Sequence, residues 1–501
     1  MARSNQHHPM LVLDHRVLGG ASQKAPGGNA HALMLRVPGK SNVCQTLMLD
    51  AGARLLRPGL SNLDHAFPDL TPLLKNMIGI VVSHGHNDHM LALRYLAGMG
   101  HKLPPVFADR YTAEVIRLSF FELGLPKSRI PKIVTLEDGV PVQIGDFKVI
   151  PVAVGHSLPC GMALFVDTPA GRVFYSGDFN ADPTLVLSPA TDFDRLAQIA
   201  GTGVDLALID NCQIHKDKPV RGADFRADLT RHITAHEIGP VVISTCGAYV
   251  EQLGDILAVA ALTGRPVVVA GGGSIDAGFK TLEMSGIDPI QLVKKAVGKA
   301  PRLIDGRVEA PDPDDLERAI ILTDGAQGAP DSPLAQSARG DHPWLVMDAD
   351  TLVIRTVPTF LGRDAPVADL FARLKKLGVT LIDADALVRP TTHAPPEDMI
   401  RMITAVPSRM YLPMHGSTDQ AAAFRALVWN LGKRGELLKN GDLWRIEDGN
   451  VRHCRHYKQR AWIGVKLPET RGERVRYIPF DAGAPFDVDY LLPLEFIPGM
   501  H

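Results

Sequence analysis

Residues 83–89 place the tightest constraint on what this chain can fold into. They read Ser-His-Gly-His-Asn-Asp-His and follow an apolar run, residues 78–82, that predicts a buried strand. Turns at the ends of buried strands hold polar side chains on a rigid scaffold. The His-x-His alternation lets two imidazoles reach one cation, and the Asp88-His89 pair can face a second. Zinc accepts imidazole nitrogen and carboxylate oxygen together, so the stretch predicts a two-metal site rather than a histidine-rich surface turn.

Two metals need more ligands than this stretch contains, and later positions repeat the pattern. His156, Asp178 and His415 each come directly after a short apolar run that predicts a strand. The two oxygens of Asp178 make it the natural bridge between two cations, whereas His156 taken alone is more typical of a structural histidine. Asp50 ends another predicted strand, where it is either an ordinary turn residue or a partner that orients a metal ligand.

Composition limits the class of protein. A chain of 501 residues should hold two or three domains, and 45% hydrophobic with 22% charged residues is typical of a globular protein. The net charge of −2 means that polyanion binding would need a local patch. Five scattered cysteines without C-x-x-C spacing argue against a disulfide framework or zinc ribbon and favour the cytoplasm. We find no signal peptide and no apolar run approaching the roughly 20 residues that span a bilayer, so we expect no membrane partner.

The middle of the chain has a different pattern. Predicted strands at 240–245 and 266–270 flank a predicted helix at 250–262, and this alternation predicts a parallel sheet covered by helices. The Gly271-Gly272-Gly273-Ser274 stretch lacks the spacing of a dinucleotide loop and the lysine of a Walker motif, so we predict a turn. Near the end, residues 453–477 are rich in Arg and Lys around Tyr457 and Trp462. That composition is typical of a solvated surface and, as an alternative, of a nucleic-acid patch.

Taken in order, the ligand-type residues resemble the signature of the metallo-β-lactamase superfamily. They are His84, His86, Asp88, His89, His156, Asp178 and His415. The long insertion between Asp210 and His393 is similar to that of the β-CASP nucleases, and among them to ribonuclease J. The shared segments are collinear from about residue 15 to 445, and include Gly177-Asp178-Phe179, His156-Ser157-Leu158-Pro159, Gln327-Gly328-Ala329-Pro330, His393-Ala394, Glu397-Asp398, Pro413-Met414-His415-Gly416 and Asn440-Gly441-Asp442.

The resemblance implies an α/β protein, an αββα metallo-β-lactamase sandwich with an inserted parallel-sheet β-CASP domain. The implied domains are the first part of the metallo-β-lactamase domain at 1–215, the inserted domain at 216–372, the second part at 373–445 and a short C-terminal tail at 446–501. It also implies two zinc ions, with manganese as the alternative metal. The first would be held by His84, His86 and His156, the second by Asp88, His89 and His415, with Asp178 as the bridge and Asp50 in support.

The implied chemistry is hydrolysis of a phosphodiester by a metal-activated water. Asp88 and Asp178 would be catalytic through the metals, and Asp210 with His393 would form a carboxylate-oriented imidazole that acts as general acid or phosphate contact. Thr391 and Thr392, beside His393, would contact the substrate phosphate. The implied protein is a cytoplasmic zinc-dependent ribonuclease that cuts single-stranded RNA as a 5′-to-3′ exonuclease, an endonuclease or both, with a homo-oligomer as an open alternative.

Three departures from ribonuclease J bear on substrate recognition. Pro395 stands where the family usually has serine, and it offers neither a hydroxyl nor a backbone N–H. Asn211-Cys212 replaces the usual Ser-Thr, and Ser417 replaces Glu. These departures leave the preference for a 5′ end open. They also leave two alternatives to the ribonuclease function open: a hydrolase acting on DNA or a small ester, and a non-catalytic RNA-binding paralogue.

Overall fold

The computed structural model describes residues 11–22, 27–39, 43–56, 63–247, 249–360, 362–457, 461–468 and 473–481. The described strands are β1 (Val12–Ser22), β2 (Gly27–Arg36), β3 (Val43–Leu49), β4 (Arg54–Leu55), β5 (His65–Pro68), β6 (Met77–Val81), β7 (Val106–Ala108), β8 (Ile133–Thr135), β9 (Val142–Ile144), β10 (Phe147–Val154), β11 (Gly161–Thr168), β12 (Gly171–Tyr175), β13 (Val204–Asp210), β14 (Val241–Ser244), β15 (Val267–Gly271), β16 (Leu303–Asp305), β17 (Ile320–Thr323), β18 (Leu352–Arg355), β19 (Thr380–Ile382), β20 (Ser408–Ser417), β21 (Asp442–Glu447), β22 (Asn450–His456), β23 (Ala461–Lys466) and β24 (Arg476–Asp481).

The described α-helices are α1 (Asn87–Met90), α2 (Ala92–Gly98), α3 (Arg110–Glu122), α4 (Phe193–Ala200), α5 (Gly222–Ala235), α6 (Val250–Thr263), α7 (Gly273–Met284), α8 (Pro289–Val297), α9 (Pro313–Leu316), α10 (Pro333–Arg339), α11 (Asp364–Leu377), α12 (Pro396–Ala405) and α13 (Thr418–Asn430). Short 3₁₀ turns occur at Thr71–Asn76, Lys127–Arg129 and Ala384–Ala386. Among these described helices, none combines the length and the apolar composition needed to cross a bilayer.

One large sheet contains fourteen of the described strands and curls so that its two halves face each other. Its strands follow the order β8-β7-β6-β3-β2-β1-β20-β13-β12-β11-β10-β9, with β21 and β22 joining beside β1. Strand β20 runs parallel to β13 over most of its length and pairs with the end of β1 through Gly416 and Ala21. The strand that carries His415 therefore connects the two halves of the sheet.

The side chains of this sheet alternate between two apolar layers, as expected for strands buried on both faces. Leu33 and Leu47 from one half pack with Leu164 and Leu206 from the other, which forms the core between the halves. The alternate residues of each half face the helices instead: α2 and α3 cover the first half, and α4, α12 and α13 cover the second. This arrangement confirms the predicted αββα sandwich.

A second, six-stranded sheet lies within the predicted insertion. Its order is β16-β15-β17-β14-β18-β19, and every pair is parallel, which confirms the expected sheet type. The predicted turn at Gly271–Ser274 is reduced to Gly272, because Gly271 ends β15 and Gly273 begins α7. The Ser274 N–H and Oγ, in the first turn of α7, donate to the Asp324 carboxylate. The domain limits themselves stay a prediction. Helix α11 runs across the predicted limit at residue 372, and β19, which belongs to the six-stranded sheet, lies beyond it.

The C-terminal strands β23 and β24 pair with β5 and β4 in a four-stranded sheet. Trp462 is buried there and its ring lies 4.6 Å from the guanidinium carbon of Arg54. Tyr477 packs beside Tyr95. The expectation of a solvated surface is therefore wrong at Trp462, and this aromatic side chain is used for packing rather than for stacking on a nucleic acid.

Candidate metal centre and cleft

Two strand ends position residues 83–89: the stretch follows β6 along the chain, and the loop after β3 lies against it. His86 caps α1 with an extended backbone, and Asp88 and His89 lie in the first turn of that short helix rather than on the predicted turn. The loop after β3 lies against α1, where the Ala51 N–H donates to the His89 carbonyl at 2.7 Å. Gly52 permits this approach, because a Cβ there would fall 1.6 Å from the Asp88 carbonyl oxygen.

The first predicted ligand group is brought together in the structure. His84, His86, His156 and Asp178 are all buried, and one ligand atom from each lies within 4.8 Å of the others. His86 Nδ1 lies 3.0 Å from His84 Nε2 and 3.2 Å from His156 Nε2. Asp178 Oδ2 lies 3.6 Å from His84 Nε2. These donors come from the β6–α1 loop and from the turns after β10 and β12.

The second predicted ligand group shares Asp178 with the first. Asp88, His89, Asp178 and His415 also lie within 4.8 Å of one another and are buried. His89 Nε2 is 3.2 Å from Asp178 Oδ2 and 3.4 Å from Asp88 Oδ2. His415 Nδ1 is 3.7 Å from Asp178 Oδ1. Asp178 therefore lies between the two groups, which is the position predicted for a bridging carboxylate.

The electrostatics of the first group favour lone pairs that are open to a cation. Burial lowers the pKa of His84 and His156 well below the ordinary histidine value, and it lowers the pKa of His86 to about 4. These imidazoles are therefore neutral at pH 7, which is the form that binds metal.

The second group attracts positive charge. Burial alone would lower the pKa of His89, but the carboxylates of Asp178, Asp88 and Asp50 raise it well above the ordinary value. Burial would raise the pKa of Asp178, yet the neighbouring His415 and His89 hold it well below the usual range. The ionised carboxylates thus create a place where a cation is stabilised.

The donor set fits two divalent metals. Among the residues that the structure describes, Asp178 Oδ1 is buried without a hydrogen-bond partner. A buried polar atom without a partner is costly unless something satisfies it, and a cation held by Asp178 would do so. Imidazole nitrogens with carboxylate oxygens are the ligands of zinc and manganese sites.

Asp50 supports the second group from behind, as the sequence predicts. Its Oδ2 lies 2.7 Å from His89 Nδ1 and accepts from the Tyr175 hydroxyl at 2.5 Å. Ser83 donates to the same carboxylate through both its N–H and its Oγ. Such a contact fixes the imidazole orientation and directs Nε2 towards the metal side. Sequence reasoning did not find Tyr175, because a tyrosine in a buried strand has no distinguishing pattern.

Asn29, at the start of β2, is a further residue that the sequence analysis did not select. It is fully buried, and its Nδ2 lies 2.7 Å from His415 Nδ1, 2.9 Å from His89 Nε2 and 3.3 Å from Asp88 Oδ2. The pattern gives only one clue, an amide side chain that follows two glycines and precedes an apolar run. The same pattern is typical of an ordinary turn.

A cavity of about 830 Å³ opens beside the two groups, between the large sheet and the inserted domain. His393 and His415 line its metal end, whereas Tyr249 and Phe360 belong to the inserted domain. His393 Nδ1 lies 2.9 Å from Asp210 Oδ2 and 3.7 Å from Asp178 Oδ2. The predicted pairing of Asp210 with His393 is therefore present, and the pair adjoins the ligand groups.

Thr391 and Thr392 hold the local backbone in place. Thr391 exchanges two hydrogen bonds with Val220, through its N–H and its Oγ1. The Thr392 carbonyl lies 3.1 Å from His156 Nδ1 and accepts from Asn180. Their predicted contact with a substrate phosphate stays a prediction, and the Thr391 N–H is already engaged with Val220.

The inserted domain is fastened close to His156. Glu251 of α6 accepts from the backbone N–H groups of Val186, Leu187 and Ser188, and its own N–H donates to the Ser157 carbonyl at 3.0 Å. Burial raises the pKa of Glu251 to about 7. Glu251 thus joins the first turn of α6 to two loops of the large sheet, one through its side chain and one through its backbone N–H.

The chain is similar to several known proteins in sequence and in fold. A family profile described as "Beta-lactamase superfamily domain" matches residues 45–250. A protein named ribonuclease J from Sinorhizobium meliloti is 27% identical over 95% of this chain and 83% of its own length. Proteins of the same name from Mycolicibacterium smegmatis and Helicobacter pylori are 26% and 27% identical, and the matches cover 69% and 56% of those relatives. A solved Enterococcus faecalis structure titled as a protein of unknown function has a TM-score of 0.56 at 15% identity, covers 86% of this chain and 99% of that chain, and supports the fold alone.

The curled sheet, its covering helices and the buried His/Asp groups are those of a metal-dependent hydrolase, and residues 45–250 match the β-lactamase superfamily domain. Similarity to proteins named ribonuclease J extends over most of the chain, so the chain resembles a divergent relative of those proteins.

Proposed function

We propose that this protein is a ribonuclease that hydrolyses phosphodiester bonds of single-stranded RNA in the cavity between the large sheet and the inserted domain. The observation that carries the proposal is the arrangement of two ligand groups sharing Asp178, with the Asp210–His393 pair beside them at the cavity wall. Similarity to proteins named ribonuclease J supports RNA as the substrate. Retention of the whole donor set argues against the non-catalytic alternative.

In this proposal the residues of each group bind one divalent cation, zinc in the first instance with manganese as the alternative. When bound, the two cations lower the pKa of a water and stabilise negative charge on the phosphate. His84, His86 and His156 hold one position, and Asp88, His89 and His415 hold the other. Asp178 belongs to both groups and would be shared by the two positions.

His393 is the proposed proton donor to the leaving ribose oxygen. Asp210 lies against Nδ1, so it fixes the ring and stabilises the protonated imidazole. The proton that His393 can transfer is then the one at Nε2. Because Asp210 is fully buried, its charge acts on His393 without screening by solvent.

Purified protein with zinc or manganese should degrade a labelled single-stranded RNA, whereas the Asp88→Ala, His89→Ala double variant should not. A matched control replaces an aspartate and a histidine away from the cavity, Asp331→Ala with His101→Ala, and should cleave at the wild-type rate. Equal cleavage by the wild type and the ligand variant would refute the proposal, as would absence of cleavage by the wild type with either metal.

A 5′-to-3′ exonuclease, an endonuclease and a mixed activity all remain within the proposal. An RNA labelled at its 5′ end distinguishes them, because an exonuclease releases labelled mononucleotide from the start whereas an endonuclease first yields longer labelled fragments. Parallel reactions on RNA with a 5′-monophosphate, 5′-triphosphate or 5′-hydroxyl measure the end preference that Pro395 leaves open.

The cytoplasm is the proposed location. All five cysteines lie within the described residues and none forms a disulfide, which fits a reducing compartment. A homo-oligomer is retained as a hypothesis, and sedimentation equilibrium of the purified chain measures it.

A further inference from the structure

We propose that Asn29 supplies its side-chain oxygen as a fifth protein ligand to the second metal position. The inference rests on the two-metal centre of the proposed function and adds a residue to it. The Asn29 amide lies against three members of the second group, with Nδ2 within 2.7 to 3.3 Å of atoms of His415, His89 and Asp88. It is therefore already within the distance that separates ligands of one cation.

The amide orientation follows from the charge at this place. His415 Nδ1 and His89 Nε2 are the ring nitrogens that face the carboxylates of the second group. A cation there takes both ring lone pairs, so neither nitrogen is left to accept from Nδ2, and the hydrogens of Nδ2 are repelled by the positive charge. Rotating the amide by half a turn exchanges its nitrogen and oxygen in nearly the same volume. Asn29 Oδ1 then faces the cation.

The opposite end of the amide also favours this rotation. Within the described part of the chain, Asn29 Oδ1 is buried and accepts no hydrogen bond. It shares its surroundings with the Met414 carbonyl: a Cβ built on Gly20 would lie 2.4 Å from Asn29 Oδ1 and 2.7 Å from the Met414 oxygen. The two oxygens thus border the same small space, and the rotated amide turns an N–H group rather than an oxygen towards it. Gly20, at φ +102°, leaves the space that the amide occupies.

This ligand makes the two metal positions chemically different. The first group offers three imidazole nitrogens and one carboxylate, a set that suits four-coordinate zinc. With Asn29, the second offers two imidazoles against three oxygen ligands, from Asp88, Asp178 and the amide. Oxygen ligands and higher coordination favour manganese. We therefore infer a mixed centre, with zinc in the first position and manganese in the second.

The test measures metal binding without RNA. Metal-free protein is loaded with one equivalent of zinc and titrated with manganese, and free manganese is followed by electron paramagnetic resonance. We expect Asn29→Leu, which keeps the volume and removes the oxygen, to weaken manganese binding at least about tenfold. We expect Asn29→Asp, which keeps an oxygen in place, to bind manganese at least as tightly as the wild type. Thermal unfolding of each variant in chelator checks that it folds.

The pair of variants separates a ligand from a hydrogen-bond donor. If Asn29 only donates hydrogen bonds to its neighbours, aspartate would place a third carboxylate beside Asp88 and Asp178 without a donor and would weaken binding more than leucine does. That order of affinities would overturn the inference, as would wild-type affinity in Asn29→Leu. Because no RNA is used, a two-metal protein that fails to cleave RNA would refute the proposed function and leave this result standing.

Discussion

Replacing Asp50 by asparagine tests how far the metal centre depends on the residue behind His89. The backbone tolerates the change, because Asp50 has φ 61° and asparagine adopts this left-handed region readily. The change acts at Oδ2, which accepts from the Tyr175 and Ser83 hydroxyls and lies 2.7 Å from His89 Nδ1. An amide nitrogen in that place offers hydrogens where the carboxylate accepted them.

The consequence for His89 sets the size of the effect. The two hydroxyls can rotate and accept, but His89 must then accept at Nδ1, which moves its ring proton to Nε2 on the metal side. We expect the second metal position to weaken about 10- to 100-fold, or about 1.4 to 2.8 kcal/mol. The free energy of unfolding without metal should fall by about 2 kcal/mol, as for loss of a hydrogen bond to a charged group.

Chelator competition with zinc or manganese measures both metal affinities, and urea unfolding in chelator measures stability. Tyr175→Phe is the matched control, because it removes one donor to Asp50 and leaves the contact with His89 intact, so its effect on metal affinity should be smaller. Wild-type affinity for both metals in Asp50→Asn would refute the argument that Asp50 fixes the tautomer of His89.

Three further changes test other parts of the structure. Asp210→Asn should slow single-turnover RNA cleavage about 10²- to 10⁴-fold through His393 while the metal content stays unchanged, and an unaltered rate would remove the pair from the mechanism. Burial raises the pKa of Asp109, which caps α3, to about 7, so its stabilising contribution is complete below pH 3.8 and is lost as the pH rises through 7. Since asparagine caps a helix equally well, Asp109→Asn should match the wild type at pH 3.5 and be more stable, by at most about 4 kcal/mol, at pH 8; equal urea midpoints at both pH values would contradict this. Trp462→Ala should lower stability by about 3–5 kcal/mol without changing metal affinity, and unchanged stability would exclude the strand carrying it from the folding unit.

The sequence predicts the ligand groups because several ligands directly follow an apolar run, although Asp88 and His89 lie in α1 and His415 lies within β20. An apolar run followed by His84, His156, Asp178 or His415 is visible without knowledge of the fold, and parallel strands bring such ends together. The inserted sheet is predictable for a similar reason, since its strands and helices alternate regularly.

Other features depend on contacts between distant segments, which a linear pattern does not contain. Asn29 gains its role only where β2 passes beside α1, and Tyr175 gains its role only where β12 brings its hydroxyl to Asp50. Glu251 reads as an ordinary residue of an amphipathic helix, yet it holds three backbone N–H groups of another segment. Trp462 resembles a surface aromatic because its partner strand β5 lies about 400 residues earlier.

The position of β20 between β1 and β13 determines when this centre can be completed during synthesis. Until about residue 417 has left the ribosome, β1 and β13 lack their central neighbour, and the two halves of the large sheet stay unjoined. The first ligand group takes His84 and His86 from the half with β6, and His156 and Asp178 from the half with β10 and β12. Both groups therefore wait for β20, and a nascent or truncated chain that ends inside the insertion should acquire neither metal.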